Sequence, residues 1–195
     1  MIWLFLIVLA ALIAIVLLPR IVEARRKLMD GAARNDAPGE FVQLSDGVTH
    51  IHKRGALRGP WVVCIHGLTT PEFVWDGMIE GLTGLGFRVL SYDLYGRGFS
   101  DRPDLTHSRD FFVRQLEEVI DAAGIPETAS LIGYSMGASI ASAYAVKHPE
   151  KVDRLILLAP AGLRLADNRF NRFVRETPVI GDWLMAVLGG RLCKS

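Results

Sequence analysis

The sequence carries only two cysteines, Cys64 and Cys193, in 195 residues. Cys64 lies inside an apolar strand-like run and Cys193 near the end, so no disulfide framework is expected and no metal-ligand spacing exists. Charge of one sign is also lacking: 22 Lys and Arg face 21 Asp and Glu, a formal net charge of +1. That balance excludes the basic surface a nucleic-acid partner would need. There is no internal repeat and no low-complexity tract, and neither cofactor nor metal is expected. At this length the chain accommodates one domain with a sizeable core, and not two comfortable ones.

Residues 2–18 lack any charge. As a helix this apolar run would span about 26 Å at ~1.5 Å per residue, close to a ~30 Å hydrocarbon core once flanking residues are included. No Lys or Arg precedes it and Val22-Glu23-Ala24 is a weak cleavage match, which disfavours a signal peptide. A buried core helix would show polar positions at a helical period. Arg20, Arg25, Arg26 and Lys27 follow the run, and the positive-inside rule keeps that side cytoplasmic. The expectation is a single-pass membrane anchor over residues 1–19, a juxtamembrane linker over 20–40 with turn composition, and a cytoplasmic domain beyond, with the lipid bilayer as a partner.

The folded domain is expected from Phe41. Phe41 to Leu44 and Val48 to Lys53, split by Ser45-Asp46-Gly47, read as an antiparallel hairpin. His50 and His52 alternate on its second strand; with no third ligand beside them they read as a solvated strand face. Trp61 to Ile65 is continuously apolar, as in a parallel strand covered on both sides. A helix around Trp75 to Leu85, a strand at Arg88 to Tyr92 and a helix over Ser108 to Ala123 follow. The last repeats Phe111, Phe112, Leu116, Val119 and Ile120 at a helical period and stops at Gly124. Leu131 to Gly133, a helix to about Lys147 and a strand at Val152 to Ala159 complete an alternating pattern, an α/β fold with a mostly parallel sheet. From Leu163 the sequence becomes amphipathic, with Phe173, Trp183 and Val187 among its apolar positions, and reads as the start of a helical lid over 163–195. Its arginines, Arg164, Arg169, Arg172 and Arg175, read as a solvated helix face.

Within that pattern Gly133-Tyr134-Ser135-Met136-Gly137 stands between a strand and a helix. Gly-x-Ser-x-Gly in this position is a nucleophile elbow: Ser135 is lifted above the sheet on a strained turn, while Gly133 and Gly137 keep Cβ atoms out of the bend. The first amides of the next helix, Met136 foremost, then face the place where a carbonyl oxygen would gain charge. Ser135 is the candidate nucleophile.

Three segments in order, His66-Gly67-Leu68, Asp93-Leu94-Tyr95-Gly96-Arg97-Gly98-Phe99-Ser100 and the elbow, each after a strand, resemble the α/β-hydrolase superfamily over roughly residues 41–188. The resemblance implies a core over 41–162 and a second oxyanion amide at Leu68. It also implies structural roles for His66, Gly67, Asp93, Gly96 and Gly98, with Asp93 tying down local backbone amides. A serine in place of a nucleophilic aspartate favours esterase-like acyl transfer over dehalogenase or epoxide-hydrolase chemistry. With an anchor, the chain resembles membrane-anchored monoacylglycerol lipases acting on ester or acyl small molecules.

In this superfamily an acid and then a His follow the nucleophile. His148 is the single histidine after Ser135, and it stands at the far end of the elbow helix. Asp167 and Asp182 are weak acid candidates. About six of the family's eight strands are present, so triad acid and His are expected to be absent and the chain truncated and inactive as it stands. Val152 to Ala159 would then be an uncovered apolar edge. The alternative is a catalytically dead, membrane-anchored module that binds an acyl ligand or a protein.

Overall fold

A computed structural model describes residues 2–24, 29–125 and 128–162, with residues 173, 177, 180, 181, 183, 186 and 187. The chain divides into two units, Met29–Leu163 and the paired segments Met1–Leu28 and Arg164–Ser195.

In the smaller unit the apolar run forms helix α1, Ile2–Ala24, with Pro19 inside it. Its side chains are described without a break only over 9–22. Among the described residues no helix is long and apolar enough to cross a membrane, so the expected span over 1–19 goes no further here than the helix itself. In the lid region Phe173, Ile180, Gly181, Trp183, Ala186 and Val187 are helical. The Trp183 indole N–H donates to Ile15 O at 2.8 Å. Arg164, Asp167, Arg169, Arg172, Arg175, Asp182 and Cys193 lie outside the described residues.

The larger unit is built on six strands: β1 Glu40–Leu44, β2 Gly47–Gly55, β3 Trp61–Ile65, β4 Arg88–Tyr92, β5 Ala129–Tyr134 and β6 Val152–Leu158. They lie in the order β1-β2-β4-β3-β5-β6. β2 pairs antiparallel with β1 and β4, whereas β3 pairs parallel with β4 and β5, and β5 with β6. Only β2 therefore runs against the rest. The connection from β3 leads to β4 on one side, and that from β4 crosses to β5 on the other. The sheet thus has a switch point beside β3, where open α/β sheets place their sites.

Every residue of β3 is buried, because helices cover both faces. Val63 and Ile65 point into a cluster with Leu90, Tyr92 and Leu131 under helices α4 (Arg109–Ala122) and α5 (Met136–Lys147). Val62 and Cys64 point the other way, onto Trp75 and Ile79 of α3 (Asp76–Gly84) and the 3-10 turn Glu72–Trp75 before it. The periodic apolar face of α4 is buried as expected, and Ser108 caps its start by accepting from Phe111 N. At the sheet edge β6 leaves Leu155, Ile156 and Leu157 partly exposed.

Two expectations change. The segment before β1 is no free linker from Asp30 onward. Asp30 caps a one-turn helix, α2 (Gly31–Arg34), and Arg34 donates to Phe99 O at 2.9 Å and to Asp101 Oδ1 at 2.5 Å. Its turn-like composition hid partners that are distant in sequence. His50, read as solvated, is 1% exposed and bonded to Asp93, because the turn after β4 folds over that face of β2.

Leu116 is fully buried and Val146 on α5 is 84% exposed. Leu116→Ala is expected to cost about 2–5 kcal/mol in urea unfolding, and Val146→Ala to stay within roughly 0.5 kcal/mol of the parent.

Candidate active site

β5 ends at Tyr134 and α5 begins at Met136, so the direction of the chain must reverse at one residue. Ser135 takes that bend with φ 53° and ψ −114°, a left-handed conformation that only surrounding contacts can hold in a residue with a side chain. Its N–H donates to Leu158 O at 3.0 Å, and its carbonyl accepts from Ala161 N at 3.0 Å. The turn also presses the start of α5 against the end of β3. A Cβ on Gly137 would lie 2.1 Å from Ile65 O, and one on Gly133 2.5 Å from Ala138 Cα. Both positions exclude any side chain.

The exit of β3 supplies the facing wall. A Cβ on Gly67 would lie 3.2 Å from Ser135 Cβ, which places the His66-Gly67-Leu68 turn beside the nucleophile. Leu68 is 46% exposed, and its carbonyl accepts from Arg97 Nε at 2.6 Å. That bond ties the loop to the turn after β4. His66 is fully buried; Nε2 accepts from Leu94 N at 2.9 Å, which leaves the proton on Nδ1, where it meets Gly67 O at 2.7 Å. Burial is the largest influence on this ring and lowers its pKa. His66 is thus a neutral brace between two loops.

Asp93 is the hub of those loops. Its Oδ1 accepts from Glu72 N at 2.9 Å, and its Oδ2 accepts from Phe99 N at 3.0 Å and faces His50 Nδ1 at 2.8 Å. Burial works against its charge, but His50 and the two amides outweigh it and its pKa falls. Gly98, at φ 48°, touches the carboxylate so closely that a Cβ would lie 2.0 Å from Oδ2. Gly96 makes the same turn with φ 78°. Ser100 Oγ donates to Asp93 O at 2.7 Å.

Three polar residues escaped the sequence reading. Glu72 is buried and accepts from both Arg54 and Ser91. Gln115 donates to Asp93 O and Thr49 Oγ1 while accepting from Tyr95 N. Arg97 had no motif role. For Gln115 a signal was present, since a polar residue stands inside the buried stripe of α4. For Glu72 and Arg97 there was none.

No side chain among the described residues hydrogen-bonds the Ser135 hydroxyl. His148 caps the far end of α5 and bonds Glu117 Oε1 at 2.8 Å. Asp167 and Asp182 fall outside the description, and no metal-binding cluster occurs among the described residues. A cleft of about 710 Å³ between α4, α5 and the exit of β6 does not include Ser135 among its described lining. The site is therefore assigned from the geometry of the elbow.

The strain at Ser135 is directly measurable. Ser135→Gly is expected to raise unfolding stability by about 1 kcal/mol, as relief of a left-handed residue exceeds the added flexibility of the unfolded chain. Ser135→Ala keeps the strain and should not.

The match to known proteins follows the same segments. The alpha/beta hydrolase fold family matches residues 60–180. The chain is 37% identical over 118 residues to 2-hydroxymuconate semialdehyde hydrolase of Pseudomonas sp. (strain CF600), covering 59% of this chain and 41% of that one. It is 38% identical over 119 residues to pimeloyl-[acyl-carrier protein] methyl ester esterase of Nitrosomonas europaea, covering 60% and 44%. Among solved structures, the thioesterase domain from the curacin biosynthetic pathway superposes with a TM-score of 0.62 at 28% identity, over 77% of this chain and 54% of that domain. The chain thus spans about half, or less, of the length of these relatives. Sheet order, elbow and sequence match agree, and the chain belongs to the α/β-hydrolase family.

Proposed function

We propose that this chain carries the nucleophile and oxyanion hole of a serine hydrolase acting on carboxylic esters. The observation that carries the reading is the strained Ser135 at the end of β5, with the exit turn of β3 packed on its Cβ. In this reading Ser135 Oγ attacks the ester carbonyl carbon, and the oxyanion forms between the amides of Leu68 and Met136. Collapse expels the alcohol and leaves an acyl-Ser135 that water then cleaves. Each oxyanion donor contributes about 2.7–4 kcal/mol in such sites. The Arg97 bond to Leu68 O limits how far that loop can rotate its amide away. The methyl ester esterase relative favours a carboxylic ester.

A hydroxyl at its ordinary pKa needs a base to become a nucleophile. No described side chain serves Ser135, so the base and its acid partner are assigned to residues other than those described. The same fact favours a second reading, a catalytically silent module whose oxyanion pocket binds an acyl ligand or a protein. The membrane belongs to the proposal as well. The uncharged run 2–18, the helix Ile2–Ala24 and the cations after it support a single-pass anchor with the hydrolase unit on the cytoplasmic side, and hence lipid-like acyl substrates.

A fluorophosphonate probe applied to the native protein in its membrane fraction separates the readings. Stable labelling that disappears in Ser135→Ala is expected of the hydrolase, with ester turnover falling by at least about 10³-fold in that variant. A folded native protein that never labels would sink the enzyme reading and favour the binding module.

A further inference from the structure

His50 sits in a closed aromatic slot, its ring centroid 5.2 Å from Phe41 and 5.4 Å from Phe99. Both ring nitrogens face acceptors. Nδ1 is 2.8 Å from Asp93 Oδ2, and Nε2 is 2.5 Å from Pro38 O. A neutral imidazole has one N–H and would leave lone pairs opposed at one of the two contacts. Asp93, already accepting from two backbone amides, is held ionised and has no proton to lend. The imidazolium alone satisfies both bonds.

The surroundings fit that charge. Asp93 stands at the exit of β4, Glu72 in the turn after β3, and His52 beside it on β2 with ring centroids 6.4 Å apart. Arg54 of β2 is bonded to Glu72. His66 Nε2 lies 3.9 Å from Asp93 Oδ1, and the Arg34 guanidinium of α2 lies over the Phe41 ring at 5.4 Å. The element packed from the far side, α4, contributes the neutral Gln115 to Asp93 O. Burial is the largest single influence and disfavours the charge, but the bonds to Asp93 and Pro38 with the fields of Asp93 and Glu72 raise the His50 pKa overall.

The bonds run on toward the catalytic edge. Through Asp93 the ring is joined to Glu72 N, which follows the Leu68 loop, and to Phe99 N, in the turn whose Arg97 holds Leu68 O. We propose that His50 is a positioning residue: as an imidazolium it clamps the Pro38 segment to Asp93 and so fixes the loop that presents the Leu68 amide to the oxyanion. This rests on the hydrolase reading of Leu68. Because the folded-state pKa is raised, the stabilisation is complete below the unfolded value of about 6.5 and is lost as pH rises through the higher folded value.

The test uses the full native protein. Nitrogen-15 NMR of the His50 ring at neutral pH reports its protonation, and amide exchange at Glu72 and Phe99 reports the clamp. Both nitrogens are expected to be protonated, with exchange at both amides accelerating above the His50 transition. The rate of Ser135 phosphonylation by fluorophosphonate, with loss of fluoride, is expected to fall on the alkaline side in the wild type. In His50→Gln it should be about ten- to a hundred-fold lower at neutral pH without that alkaline limb, the loss lying in kcat more than in KM for an ester. A ring nitrogen without a proton at neutral pH, or an alkaline limb that survives in His50→Gln, overturns the proposal. If His50→Gln does not fold, ring protonation in the wild type decides. Should wild-type Ser135 never be labelled, the hydrolase reading fails and the positioning role with it, whereas the ring and amide signals still decide whether the clamp exists.

Discussion

The bend at Ser135 is the constraint on which the rest of the domain depends. Holding a serine at φ 53° costs on the order of 1–3 kcal/mol, and two strands and a turn contribute to keeping it there. β6 accepts its amide through Leu158, the turn after β6 donates to its carbonyl through Ala161, and β3 receives the start of α5 through Gly137. The parallel register of β3, β5 and β6 is what brings these groups to one level. A sheet with another strand order would put the exit of β3 elsewhere, away from the start of α5 that it now receives.

The second layer of organisation is electrostatic. Asp93 and Glu72 are carboxylates with almost no contact with water, a placement that costs several kcal/mol each unless their lone pairs are matched. They are matched. Asp93 meets two amides and His50, while Glu72 meets Arg54, Ser91 and His52. Because the partners come from β2, β4 and the turns after β3 and β4, satisfying the charge also fixes these segments to one another. The glycine at position 98 follows from the same need, since the turn must pass within contact of the Asp93 carboxylate.

What was legible in the sequence was what depends on near neighbours. The apolar run at Trp61 to Ile65, the stripe on α4 and the strand-turn-helix around Ser135 each announce themselves within a few residues, and the sheet follows from their alternation. The elbow motif pointed to Ser135 and Met136 and the family resemblance to Leu68 and Asp93, and the fold brings all four to the strand ends. Long-range pairing was not legible. His50 read as a solvated position because its partner lies 43 residues away, and Arg34 read as linker because its acceptors lie 65 and 67 residues away. Glu72 drew no reading at all. Asp167 and Asp182, offered as acids, lie outside the described residues and receive no position.

In the hydrolase reading proposed for Ser135, the attacker and the oxyanion donors come from the elbow and its neighbouring turn, whereas the base does not. Proton transfer needs a base within about 3 Å of Oγ, and a group on α5 cannot turn back to its own N-terminus. The helix has 12 residues, about 18 Å at ~1.5 Å per residue. His148 is, moreover, committed at its end of the helix: Nε2 bonds Glu117 on α4, and Lys147 meets the same carboxylate at 2.7 Å. Burial opposes the charge on Glu117, yet the bonds from Lys147 and His148 outweigh it and lower its pKa. That pairing fastens α5 to α4, the two helices that cover one face of the sheet beneath the nucleophile. The one histidine that follows Ser135 is thus bonded where it holds α5 to α4, and in the hydrolase reading the proton of Ser135 is taken by a group at the other end of that helix.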